Sequence, residues 1–232
     1  MNNLVKQMTQ AIGAILPSRR CPVIVASIGR SGSTLLTRSI REATVKARFG
    51  SIAPLFEKCS KGNGFDLKNT FLKNGLVYKT HALPDELSSS KNPKVVFVFG
   101  NATDAVLSVA QKGEELGEYW VSKHLDNLRA SGSFEEVLEK DVLRIEEQIR
   151  KYGNRDDIER LIIKYDFIWE CHGVIEEFLE LKISLPKRRE RSKKEELSSI
   201  DVEAVRNAYS RMDEWIDSLP GCKLLKKGET LL

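Results

Sequence analysis

The sequence predicts an α/β chain in which a largely parallel sheet is covered by helices on both faces. Short apolar runs rich in Val, Ile and aromatics recur along it, and amphipathic helical patterns lie between them. Runs this apolar suit strands buried on both faces, as in parallel sheets. With 232 residues, 41% hydrophobic and 30% charged, the chain stays below the roughly 250–300 residues at which a single core stops growing. Residues 1–232 are therefore read as a single domain.

The elements follow in order. Leu4 to Leu16 reads as a short amphipathic helix, so residues 1–20 form an N-terminal helix and linker. Lys6, Gln7, Thr9 and Gln10 interrupt it, and it lacks the basic start of a secretory signal. Strands are expected at Pro22 to Ser27, Gly75 to Lys79, Lys94 to Phe99 and Leu161 to Tyr165. Helices are expected at Thr34 to Lys46, Ala102 to Lys112, Glu115 to Arg129, Phe134 to Tyr152 and Ile168 to Leu181. Ser133 with Glu136 three residues later is a capping box, and Phe134, Leu138, Val142, Ile145, Ile149 and Tyr152 continue one stripe. A last helix carries Val202, Val205, Tyr209, Met212, Ile216 and Leu219 before Pro220-Gly221 stops it. Between the last two helices lies a basic loop, residues 186–196, with six cations in Lys187 to Lys194.

Composition excludes several functions. The 37 Lys+Arg against 33 Asp+Glu leave a net charge of only +4, which argues against a nucleic-acid coat, and no aromatics interleave the basic loop for base stacking. No apolar stretch reaches the ~20 residues of a membrane span. The four cysteines, Cys21, Cys59, Cys171 and Cys222, form no CxxC, and with His81, His124 and His172 they give no metal-site spacing. Scattered thiols point to a reducing compartment and a cytoplasmic protein, with no metal required.

The most informative segment is Val23 to Ile40, VIVASIGRSGSTLLTRSI, where a buried strand enters a Gly/Ser loop and then a helix. Small residues let successive backbone N–H groups converge, and the helix N-terminus adds partial positive charge, which together make a phosphate site. Arg30 supplies a full charge, Gly32 the turn, and Ser31, Ser33 and Thr34 their hydroxyls. This is a P-loop-like element without the lysine of the triphosphatase motif, since Ser33 stands there. Lys94 to Phe99 ends in Gly100-Asn101, with no aspartate to hold magnesium. A P-loop kinase is the least favoured enzyme reading for both reasons.

Arg30-Ser31-Gly32-Ser33-Thr34 resembles the [KR]-S-G-[ST]-[ST] loop of the sulfotransferases that use 3′-phosphoadenosine-5′-phosphosulfate (PAPS). Three more landmarks fall in order between residues 22 and 181. Lys79-Thr80-His81 is similar to the family's K-T-H-x-P, with one extra residue before Pro84. KVVFVFGNATDAVLS resembles the strand and helix that hold the donor's 3′-phosphate, with Asn101, Ala102, Asp104 and Ser108 in register. RLIIKYDFIWECHGVIEEFLEL resembles the late Tyr-Glu-Asp strand, Asp166 following Tyr165. The resemblance implies metal-independent transfer of a sulfuryl group from PAPS to a hydroxyl or amine of a small-molecule or carbohydrate acceptor. Arg30 and Lys79 would steady the departing oxygen, and His81 would be the general base.

Two departures stand out. Gly100 occupies the place of the family's phosphate-pairing arginine, and the family's Arg-Lys-Gly loop is replaced by the basic run beginning Pro186-Lys187-Arg188. That run could supply the lost cation, bind a polyanionic acceptor, or be a solvated loop. A non-catalytic phosphate-binding module of the same fold is therefore the main alternative. His124, spaced four residues from both Trp120 and Leu128, reads as a structural side chain.

Overall fold

The computed structural model describes residues 20–62, 64, 67–68, 70–87, 92–188 and 200–232. The expected helix at Leu4 to Leu16 and most of the basic loop lie outside the described residues. Among the described residues, five strands form one sheet in the order β2-β1-β3-β4-β5, where β1 is Val23–Ser27, β2 Val77–Thr80, β3 Lys94–Phe99, β4 Arg160–Lys164 and β5 Cys222–Leu225. The first four are parallel, as expected; Ile24 stands opposite Tyr78 on one side and Val95 on the other. The antiparallel β5 against β4 was not foreseen from sequence.

Among the described residues, seven α-helices cover the sheet: α1 Ser33–Phe49, α2 Ala102–Leu116, α3 Glu118–Leu128, α4 Phe134–Glu139, α5 Ile145–Asn154, α6 His172–Leu179 and α7 Val202–Ser218. Alternate strand residues face opposite ways. Ile24, Ala26, Val95, Phe97 and Ile162 pack under α2, α3, α5 and α7, whereas Val25, Val77, Val96, Val98 and Ile163 pack under α1 and α6. Both faces are therefore dry, which explains why the strands read as continuous apolar runs.

Two expected helices divide. Phe134 to Tyr152 becomes α4 and α5, because Lys140 is extended, Arg144 takes φ +58°, and Asp141 accepts from the amides of Ile145 (2.8 Å) and Glu146 (3.0 Å), starting a new helix. Glu115 to Arg129 breaks at Gly117, whose φ of +79° neither helix could carry. Ser133 and Glu136 do form the capping box, and the last helix buries Val205, Tyr209 and Ile216 as its stripe requires.

One charged group sits deep in this frame. Arg160 is fully buried, and its guanidinium donates to the carbonyls of Tyr152 (2.6 Å), Ile158 (3.2 Å), Gly153 (2.8 Å) and Glu229 (2.7 Å). Four carbonyl dipoles replace the water a buried cation would otherwise lose.

Candidate functional site

The chain leaves β1 for β2 on one side and later returns through β3 on the other. The crevice at the carboxyl ends of β1 and β3 is thus where open α/β sheets bind ligands. The loop from β1 to α1 lies there. Gly29 (φ +83°), Arg30 (φ +52°) and Gly32 (φ +78°) take left-handed conformations that curl it. At Gly32 a Cβ would lie 2.3 Å from the Tyr165 ring, and at Gly29 one would lie 3.1 Å from the His124 imidazole, so glycine is required twice over. Ser31 Oγ donates to the Val98 carbonyl (3.0 Å), and Ser27 Oγ donates to Ser33 Oγ (2.9 Å). Ser31 therefore anchors the loop and turns its hydroxyl away from any ligand. Among the described residues no side chain caps α1, and its first turn carries no acid. The helix start remains available to an outside anion.

Around it stand two cations and two histidines. Lys79, in β2, donates from Nζ to Thr34 Oγ1 (2.8 Å); burial, then the charges of Arg41 and Arg30, lower its ammonium pKa. Arg30 donates from Nε to Ser108 Oγ (2.8 Å), and its guanidinium stands 6.0 Å from the Trp120 ring centre. His81 follows β2, with Nδ1 2.9 Å from the Ser27 carbonyl. A carbonyl only accepts, so Nδ1 carries the proton and Nε2 keeps its lone pair. Burial pulls the His81 pKa to about 4, partly opposed by that hydrogen bond, so the ring is neutral at pH 7. His124 is also brought to about 4, by burial first and then by the nearby His81, Arg30 and Lys79. Its ring lies parallel to Trp120 at 5.1 Å, and its buried Nε2 has no hydrogen-bond partner among the described residues. These groups line one cavity of about 470 Å³.

The remaining expected site residues lie elsewhere. Asn101 caps α2, its Oδ1 accepting from the Asp104 amide (3.0 Å). Asp213 of α7 accepts from the Ala102 amide (2.6 Å) and from Thr103 Oγ1 (2.6 Å). Gly100 is buried and outside the left-handed region. Arg188 faces Asp166 (3.2 Å) and Glu170 (3.9 Å) and stands 5.7 Å from the Trp169 ring centre. Lys187 lines a second cavity, about 630 Å³, which Tyr165, Trp169, Leu185 and Pro186 wall and which meets the loop at Thr34 and Leu35. Among the described residues, no group of His, Cys, Asp or Glu could hold a metal ion, and no helix is long and apolar enough to cross a membrane.

Sequence reasoning missed the face of α3. Trp120, Lys123, His124 and Asn127 all line the first cavity, and their spacing of three, four and seven was visible as one helical face. His124 is buried, as a structural side chain would be, yet it also walls the site. Asp213 carried no signal: its partners lie more than a hundred residues away in sequence.

Fold and site together define an α/β chain with a glycine- and serine-rich strand-to-helix loop at the switch point of its sheet. No family model matches the sequence, and no curated protein matches it. Among solved structures, the mouse sulfotransferase SULT7A1 complexed with PAP aligns with 95% of this chain and 74% of its own length, at 12% identity and a TM-score of 0.39.

Proposed function

We propose that the chain is a metal-independent sulfotransferase that uses PAPS as co-substrate. The observation that carries this is the convergence of Arg30, Lys79 and neutral His81 on the uncapped start of α1. The 5′-phosphosulfate would sit on the loop amides, with Arg30 and Lys79 stabilising charge on the bridging oxygen as the S–O bond breaks. The acceptor oxygen or nitrogen forms the new bond to sulfur, and its proton passes to His81 Nε2. The aromatic second cavity adjoining Thr34 and Leu35 has the size and walls for the donor's base. Ser108, already joined to Arg30, is the group placed to meet the 3′-phosphate.

A non-catalytic phosphate-binding module is the second reading, and two features favour it. Gly100 offers no side-chain cation, and the α2 start is already occupied by carboxylate and amide oxygens. Two measurements separate the readings. Adenosine 3′,5′-bisphosphate should raise the melting temperature more than ATP with magnesium does, because binding to the folded state alone adds stability. Turnover of a phenolic acceptor with PAPS should survive EDTA, and His81→Ala should lower it about 10²-fold without weakening the nucleotide. Nucleotide binding without any turnover would leave the binding-module reading.

A further inference from the structure

The cavity wall facing the phosphate loop is one face of α3, and two of its members lock that helix in place. His124 stacks on Trp120 while its edge abuts Gly29, and Arg30 stands over Trp120 from the loop side. Loop and helix are thus packed as one unit. The other two members, Lys123 and Asn127, present polar ends at the cavity.

The charges in this cavity do not balance. Arg30, Lys79 and Lys123 line it, and no carboxylate does among the described residues. Arg30 and Lys79 are used by the phosphosulfate in the function proposed above, on which this inference rests. Lys123 remains, its Nζ 5.7 Å from the ring centre of Tyr119 on the same helix, an exposed contact. Its nearest acid, Asp126 at 3.6 Å, is an exposed pair in which both side chains keep more than half their surface (58% and 60%), and such pairs hold a lysine weakly. Asp126 itself lines a separate groove, with Ser122 and Ser133. Lys123 is therefore placed to turn toward an anion entering the cavity. Asn127, one helical turn further on, offers an amide donor and acceptor beside it.

We propose that α3 is the acceptor-recognition helix and that the acceptor carries an anionic group, which pairs with Lys123 while its hydroxyl or amine reaches His81. The sulfuryl group then passes to an already negative molecule, and the product gains one more negative charge. Lys123 acts on acceptor binding and takes no part in the bond exchange.

The test uses the full chain saturated with adenosine 3′,5′-bisphosphate and a matched pair of probes, 4-hydroxybenzoate and 4-hydroxybenzamide, which offer the same phenol with and without charge. Calorimetry should show the parent binding the benzoate more tightly. Lys123→Glu should cost the benzoate about tenfold and change the amide by less than about twofold, since only the charged partner meets the reversed charge. Lys123 is exposed, so the variant should melt with the parent. No preference in the parent, equal losses for the two probes, or failure of the benzoate to bind at millimolar concentration would overturn the proposal. If the nucleotide itself does not bind, the donor assignment fails separately. The same titration on nucleotide-free Arg30→Ala protein, with the loop cation gone, then still reads the Lys123-dependent preference.

Discussion

Two strand-to-helix turns lie side by side in the sheet, after β1 and after β3, and they meet anions in opposite ways. The first begins α1 at Gly32 with no side-chain cap and no acid in its first turn. The second begins α2 with Asn101 on the Asp104 amide, Asp213 on the Ala102 amide and Asp104 itself in the first turn. Both helices start with the same orphan amides and the same partial charge. What distinguishes them is whether the protein's own oxygens already occupy those amides. In the function proposed, the ligand site is a cap left unmade, and a helix start alone does not reveal which of the two it is.

The largest test breaks the open turn. Gly32→Ala places a Cβ 2.3 Å from Tyr165 at a φ of +78°; we expect binding of adenosine 3′,5′-bisphosphate to fall more than about a hundredfold, and stability by about 2–3 kcal/mol from strain and overpacking. Calorimetry and urea unfolding measure the two separately. Unchanged affinity would mean that the loop's curl is irrelevant to the ligand.

Next comes the charge at that turn. Arg30→Ala should weaken the same nucleotide by about 2 kcal/mol, or about thirtyfold, because a charge-assisted hydrogen bond is lost. Arg30→Gly should weaken it equally while holding or raising the melting temperature, since Arg30 sits at φ +52°. A lower melting temperature for the glycine variant would show that the arginine side chain, through Ser108, stabilises the fold more than its backbone strains it.

The histidines walling the open turn make a prediction in pH. Both ionise near 4 in the folded chain against 6.5 ordinarily, so the unfolded chain binds protons first as the solution is acidified. Their contribution is complete above about pH 6.5 and is lost as pH falls toward 4, at up to about 1.4 kcal/mol per pH unit for each ring. Urea unfolding between pH 7.5 and 5 should show this slope, and His124→Gln should remove about half of it. A slope that the substitution leaves intact would place the proton uptake elsewhere.

The smallest effect lies at the closed turn. Asp213→Ala should cost about 1–2 kcal/mol as a lost helix cap and should expose the amides of Ala102 and Thr103. Sulfate is expected to stabilise the parent through the open turn and the variant through both, giving a steeper rise of melting temperature with sulfate. An unaltered dependence on sulfate would mean that the second turn is closed for a reason other than its own carboxylate.

The open turn was legible because everything that makes it is local. Gly29, Arg30 and Gly32 adjoin a run of buried strand residues, and Lys79 and His81 close the next strand. The closed turn was half legible: Gly100 marked a missing cation, but nothing near Asp213 says that it caps a distant helix. The split of Phe134 to Tyr152 was hidden by Val142, which stays buried in the connecting turn and so preserves the helical spacing across the break. β5 was hidden by its size, four residues of which only Leu225 is buried. Where a tertiary partner fixes the outcome, local pattern has nothing to report.

The buried guanidinium of Arg160 has a consequence for the order of events during synthesis. Three of its four carbonyls come from Tyr152 to Ile158, made just before it, but the fourth belongs to Glu229. Leu231 also donates its amide to the Gly153 carbonyl (2.8 Å). A nascent chain that has emerged only through β4 therefore holds a cation it cannot fully bury, and the β4 edge stays wet until residues 222–229 arrive. The sheet is sealed by its last-made strand, so the loop between β1 and α1 waits nearly two hundred residues for the frame that fixes it.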